Sequence, residues 1–163
     1  MARTSTNVAV QYAVARRGVP HAISLRRWAN AALAGINAPV GGITIRIVAP
    51  AESRALNRRF RGKDKPTNVL SFPYGDEPGG QRHLGDLAIC ARVVAVEARL
   101  QGKPLSAHWA HMVVHGVLHL LGYDHVKDRD AQRMSAREVE ILARFRYSDP
   151  YRYQPGVTAD LYE

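Results

Sequence analysis

The sequence predicts an α+β fold in a single domain spanning residues 1–163: about four strands in one mixed β-sheet packed with helices. Three observations carry this. The 163 residues, 46% apolar, suffice for one compact core and fall short of two, and no repeat or low-complexity linker divides them. Alternating β-branched stretches and amphipathic stretches follow one another as strand, helix, strand, helix, two strands and three helices. The segment 109–121 runs mostly apolar without a proline, as a buried helix would.

Val8, Val10 and Tyr12 alternate as a first strand. Arg3 and the apolar run ending in Ala13-Val14-Ala15 superficially suggest a secretion signal, but Gln11 and Tyr12 interrupt that run. After Pro20, the positions Ile23, Trp28, Ala31, Ala32 and Leu33 fit a short helix with Arg26 and Arg27 opposite, closed by Gly35. Gly41-Gly42 opens the strand 43–48, in which Ile43, Ile45 and Ile47 face the core. Pro50 and Glu52 mark the next helix start, and Ala55, Leu56 and Phe60 bury one face of it.

Thr67 and Asn68 introduce the extended segment 69–72, whose small polar side chains are placed to line a cleft before Pro73 stops it. Residues 74–81, rich in glycine and proline, read as a loop that admits a substrate, and 84–90 as the returning strand of a long hairpin. Asp86 inside that strand needs a partner; it either orients a ligand histidine or bonds the backbone where the strand begins, and the structural role is preferred. A helix over 93–100 ends at Gly102 and Pro104, Ser106 then caps the histidine helix, and Asp128 or Asp130 starts the last one. Met134, Val139, Ile141, Leu142 and Phe145 pack that helix inward, and residues 150–163 form a fraying tail.

Cys90 is the only cysteine, so no intramolecular disulfide can form; it suits a buried strand position, and a reducing, cytoplasmic setting is the simplest expectation. No stretch approaches the roughly 18 apolar residues of a membrane span. The net charge of +9 and pI near 10.2 point to an anionic partner. The basic residues crowd into 54–65, where Arg54, Arg58, Arg59, Arg61, Lys63 and Lys65 meet a single Asp64. Such a run can be a plain solvated helix face, but beside a metal site it favours phosphate binding. Arg61 is the leading candidate, because a guanidinium grips phosphate through paired hydrogen bonds and stabilises extra negative charge. Lys63 and Lys65 would add salt-sensitive attraction.

The chemistry centres on HGVLHLLGYDH at 115–125. His115 and His119 sit one helical turn apart, roughly 6 Å between side-chain roots, which lets both reach one ion at about 2.1 Å. Gly122 is the expected helix stop, and the bend returns His125 as a third ligand from a loop. His111 continues the stripe a turn earlier, but 111 and 119 are about 12 Å apart along the axis, so one ion cannot take both. The pair beside the glycine turn is preferred; His108 and His111 are expected to be hydrogen-bonded or partly exposed.

Three imidazoles suit one Zn2+ per chain, although nickel, copper or iron would accept them, and they leave a coordination position open for water. The helix is thus zincin-like in its ligand spacing. Zinc peptidases place a glutamate after the first histidine; here that residue is Gly116. Asp124 is placed either to hold a ligand imidazole through a hydrogen bond or to cap a turn.

Together with RGKDKPTNVLSFP at 61–73 and LGDLAIC at 84–90, the histidine block resembles the YbeY family of bacterial metal-dependent endoribonucleases, over roughly residues 41–151. The resemblance implies single-strand-specific RNA cleavage in 16S rRNA 3′-end maturation and ribosome quality control. It implies one zinc on His115, His119 and His125, with His115 and the functional arginine Arg61 as the catalytic positions. Expected partners are single-stranded RNA, the 16S rRNA precursor, the small ribosomal subunit and its assembly factors, with no membrane; Arg58, Arg59, Arg61, Lys63 and Lys65 would contact RNA. The attacking group is a zinc-activated water or the RNA 2′-hydroxyl. Two other readings stay open: a zinc hydrolase of peptides or small molecules, and a non-catalytic RNA-binding assembly factor with a structural metal.

Overall fold

The computed structural model describes residues 7–34, 41–74, 83–124 and 126–152. Its elements are β1 (Val8–Tyr12), α1 (Ala22–Leu33), β2 (Gly42–Val48), α2 (Pro50–Arg61), β3 (Val69–Pro73), β4 (His83–Cys90), α3 (Ala91–Gln101), α4 (Leu105–Leu120) and α5 (Asp128–Ala143). This is the order the periodicities predict. The four strands form one mixed sheet in the order β1-β2-β4-β3; the first two pairings are parallel, and β3 runs antiparallel to β4 at an edge.

The alternation in the strands divides the sheet into two faces. Ile43, Ile45, Ile47, Leu87 and Ile89 are fully buried on one face, where α1 and α4 cover them. Two glycines permit this close packing. A Cβ on Gly116 of α4 would stand 2.8 Å from Leu87 Cδ2, and one on Gly85 of β4 would stand 2.5 Å from Leu120 Cδ2 and 2.6 Å from the Phe72 carbonyl oxygen. On the other face Val48, Leu70, Ala88 and Cys90 form a smaller cluster, joined by Leu56, Phe72 and Val93. Cys90 is buried as its sequence context suggests, and burial pushes its thiol up.

Several expectations need correction. Helix α2 does not dock through Ala55 and Phe60, which are exposed; its buried positions are Ser53 and Asn57. Ser53 Oγ donates to the Thr67 carbonyl (3.0 Å) and accepts from the Thr67 amide (2.9 Å), while Asn57 Nδ2 donates to the Lys65 carbonyl (2.8 Å). The helix is held by polar anchors that also fix the basic loop following it. In α1, Leu25 is buried and Ile23 is 69% exposed, because the helix turns its Leu25, Trp28, Ala29 and Ala32 stripe toward the core. Gly35 lies outside the described residues. Helix α4 begins at Leu105 after Pro104, so Ser106 lies inside it and does not cap it. Residues 149–152 are described and docked: Pro150 is buried, its carbonyl accepts from Lys103 Nζ (2.8 Å), and Tyr151 packs on His111. Residues 75–81 of the expected loop, residue 82 after it and 153–163 of the tail lie outside the described residues.

Candidate metal centre and groove

Helix α4 aligns His108, His111, His115 and His119 along one stripe, and neighbouring rings meet edge to face at 6.2, 6.0 and 4.6 Å. The helix then stops as predicted: Gly122 adopts φ 95°, and the Tyr123 amide bonds back to the Leu118 carbonyl at 3.0 Å.

His115 Nδ1 lies 2.8 Å from Glu138 Oε1, and His119 Nδ1 lies 3.0 Å from the Tyr123 carbonyl oxygen. A carbonyl can only accept, so His119 donates from Nδ1; an ionised carboxylate imposes the same tautomer on His115. In the neutral rings each Nε2 would then carry a lone pair, and the two nitrogens lie 3.1 Å apart. Two lone pairs at that distance repel unless a proton or a metal ion lies between them. Bonds of about 2.1 Å at a near-tetrahedral angle put two donors about 3.4 Å apart. The spacing of the pair thus fits a metal, which imidazoles ligate in their neutral form.

Glu138 was not foreseen from the sequence. It is fully buried and takes His111 Nε2 (2.6 Å) and the Tyr151 hydroxyl (2.5 Å) on Oε2 while holding His115 on Oε1. Burial works to raise its carboxyl, but the hydrogen bonds from His111 and His115 outweigh this and hold it well below the usual carboxylate range. Burial pushes His111 the other way, below its ordinary value, so it stays neutral despite Glu138 beside it. His111, His115 and Glu138 also place ligand atoms within 4.8 Å of one another, a second arrangement that could hold a metal.

A second buried carboxylate, Glu97, accepts from His108 (2.9 Å) and from Asn68 Nδ2 (3.2 Å). His108 and His111 are therefore hydrogen-bonded as expected, and neither is partly exposed.

His115 and His119 open onto a groove of about 1230 Å³ that Arg61 also lines, together with Asn68, Ser71, Phe72 and Asp86. Asp86 takes neither of its expected roles: Oδ1 pairs with His83 Nε2 (2.8 Å) and Oδ2 accepts the Tyr74 hydroxyl (2.9 Å). Asp124 Oδ1 caps a turn by accepting the Val126 amide (3.1 Å). Among the basic residues, Arg54 is engaged by both oxygens of Asp64 (2.8 and 3.0 Å), whereas Arg58, Arg59, Arg61 and Lys65 lie exposed and Lys63 half-buried. His125 lies outside the described residues. Among the described residues no helix is long and apolar enough to cross a membrane.

Fold and site thus define an α+β domain whose histidine helix opens onto a groove lined by Arg61 and carries a side-chain cluster that could hold a metal ion. A family model described as Endoribonuclease YbeY matches residues 18–146. The solution structure of TM1509 from Thermotoga maritima superposes with a TM-score of 0.54 at 25% identity, covering 90% of this chain and 99% of that one. The chain belongs to the YbeY endoribonuclease family. Membership supports an endoribonuclease in ribosomal RNA processing.

Proposed function

We propose that the chain is a single-strand-specific, zinc-dependent endoribonuclease that hydrolyses phosphodiester bonds during 16S rRNA 3′-end maturation and ribosome quality control. Its metal ligands would be His115, His119 and His125. The observation that carries this reading is the approach of the His115 and His119 Nε2 atoms to 3.1 Å. Arg61 lines the same groove. A bound metal would supply Lewis-acid polarisation and a more acidic water.

The chain's own residues do the rest. Arg61 offers paired N–H donors to the scissile phosphate and offsets the charge that builds as it is attacked. Arg58, Arg59, Lys63 and Lys65 attract the backbone without reading sequence. Glu138 and the Tyr123 carbonyl hold the two imidazoles in the ligating tautomer. The small ribosomal subunit, its assembly factors and a cytoplasmic site of action belong to this proposal.

The test is cleavage of an end-labelled single-stranded rRNA fragment with and without chelator, beside Arg61→Ala and His119→Ala. Both substitutions and the chelator should abolish cutting; variants that cut like wild type would overturn the mechanism. A 2′,3′-cyclic phosphate on the product would replace water by the RNA 2′-hydroxyl as the attacking group. The clustering of His111, His115 and Glu138 favours a second reading, in which those three hold the metal. Metal content separates the two: the proposed set predicts loss in His119→Ala and retention in His111→Ala, and the alternative predicts the reverse.

A further inference from the structure

The groove wall carries aromatic side chains that phosphodiester hydrolysis does not use. Phe60, in the last turn of α2, is 56% exposed, and Tyr74, just past β3, is 51% exposed. Both rings are held by neighbours, and the Arg59 guanidinium carbon lies 5.3 Å from the Phe60 centroid. Phe60 meets Phe72 edge to face at 5.1 Å and 68°, and Tyr74 meets His83 at 5.0 Å and 77° while its hydroxyl is tied to Asp86. Phe72 and Tyr74 are two residues apart along one extended segment, about 6.8 Å. Phe60 adjoins Arg61 in the chain.

Single exposed aromatics are common on protein surfaces. Here all four rings line one groove with Arg61, His115 and His119. The groove therefore places two kinds of contact side by side: the Arg61 guanidinium for a phosphate, and aromatic rings for planar groups. An RNA strand carries both partners. A base inside a duplex has both faces covered by its neighbours, whereas an unpaired base has a face to offer. Backbone charge alone cannot make that distinction.

We infer that Phe60 and Tyr74, braced by Phe72 and His83, form a stacking platform for unpaired nucleobases beside the scissile phosphate, and that this platform sets the preference for single strands. The inference rests on RNA being the substrate, as proposed above.

The test is fluorescence anisotropy in the presence of chelator, so that neither metal nor cleavage enters. The probes are a labelled single-stranded RNA decamer, the same strand with abasic riboses at its centre, and an RNA duplex of equal length. Wild type should bind the base-bearing strand about tenfold or more tightly than the abasic strand, the range expected for stacking of one or two bases. Phe60→Leu and Tyr74→Leu should each erase much of that preference while leaving affinity for the abasic strand unchanged, and Phe60→Trp should restore it. Both side chains are half exposed, so the variants should fold; an unchanged unfolding midpoint checks this. The platform is overturned if wild type binds abasic and base-bearing strands alike, or if both leucine variants keep the wild-type preference. Loss or survival of cutting in His119→Ala bears on the catalytic reading alone, and the abasic comparison bears on the platform alone.

Discussion

Glu138 Oε1 sits 2.8 Å from His115 Nδ1, joining the middle of α5 to the middle of α4 through a fully buried carboxylate. Its other oxygen holds His111 and Tyr151, so one side chain sets the orientation of two imidazoles and docks residue 151 of the C-terminal segment. Glu138→Gln removes the charge that fixes the His115 tautomer, and an amide NH2 pointed at Nδ1 would turn the ring's lone pair away from His119. Metal affinity should fall about 10- to 100-fold, the usual cost of losing such a partner. Competition with a chromophoric chelator measures this. In the metal-free protein, imidazole 15N shifts should report a changed His115 tautomer; an unchanged affinity and tautomer would remove Glu138 from the site.

The absence of a glutamate after His115 has a steric cause. Gly116 faces the sheet, where a Cβ would stand 2.8 and 3.0 Å from the Leu87 methyl carbons and 3.2 Å from Val69 Cγ2. A longer side chain has no room there. Gly116→Ala should gain about 1 kcal/mol of helix propensity but lose about 1–3 kcal/mol to overpacking against a fully buried leucine. Gly85→Ala meets the Phe72 carbonyl oxygen at 2.6 Å, a backbone atom that cannot rotate away. Urea unfolding should therefore rank wild type above Gly116→Ala and Gly116→Ala above Gly85→Ala.

How far the sequence could be read depended on what buries each element. Ile43, Ile45 and Ile47 alternate, and alternation has one physical meaning in a half-covered strand, so the sheet was legible. Helix α2 was misread because its buried positions are Ser53 and Asn57, whose partners are backbone groups at residues 65 and 67 that no local pattern reveals. Glu138 was hidden for a related reason. It stands among Arg137, Glu140 and Arg144, which form ordinary surface pairs, and its own partners lie 13, 23 and 27 residues away. One signal was present: Met134, Glu138, Ile141 and Leu142 share a helical stripe, and a carboxylate on an apolar stripe needs a buried partner.

Asn57 ties the basic loop to α2, so its removal should be felt in the loop as well as in stability. Asn57→Ala leaves the Lys65 carbonyl without its 2.8 Å donor, at a cost of about 1–3 kcal/mol. Amides of residues 63–65 and 67 should exchange with deuterium faster than in wild type, and RNA affinity should drop without loss of bound metal. Unchanged exchange over these residues would mean that Ser53 alone holds the loop.

Lys103 gives the fold a pH dependence of definite sign. Burial lowers its ammonium below the ordinary lysine value, and Glu97, Asp149 and Glu138 restore only part of the shift. An unfolded lysine keeps its proton to about pH 10.4. Between the lowered folded value and that point the unfolded chain binds more protons, so the contribution of Lys103 to stability rises with pH across this window. Below it the cost of burying the charge is constant. The neutral amine still has N–H groups for the Pro150 carbonyl, 2.8 Å away, so deprotonation relieves the cost without breaking the contact that docks residues 149–152. Lys103→Met removes both cost and contact and cannot titrate. The stability of wild type relative to Lys103→Met, measured by urea unfolding, should therefore be greater at pH 10 than at pH 7. A difference that is the same at both values would mean that water reaches the ammonium and its burial costs nothing.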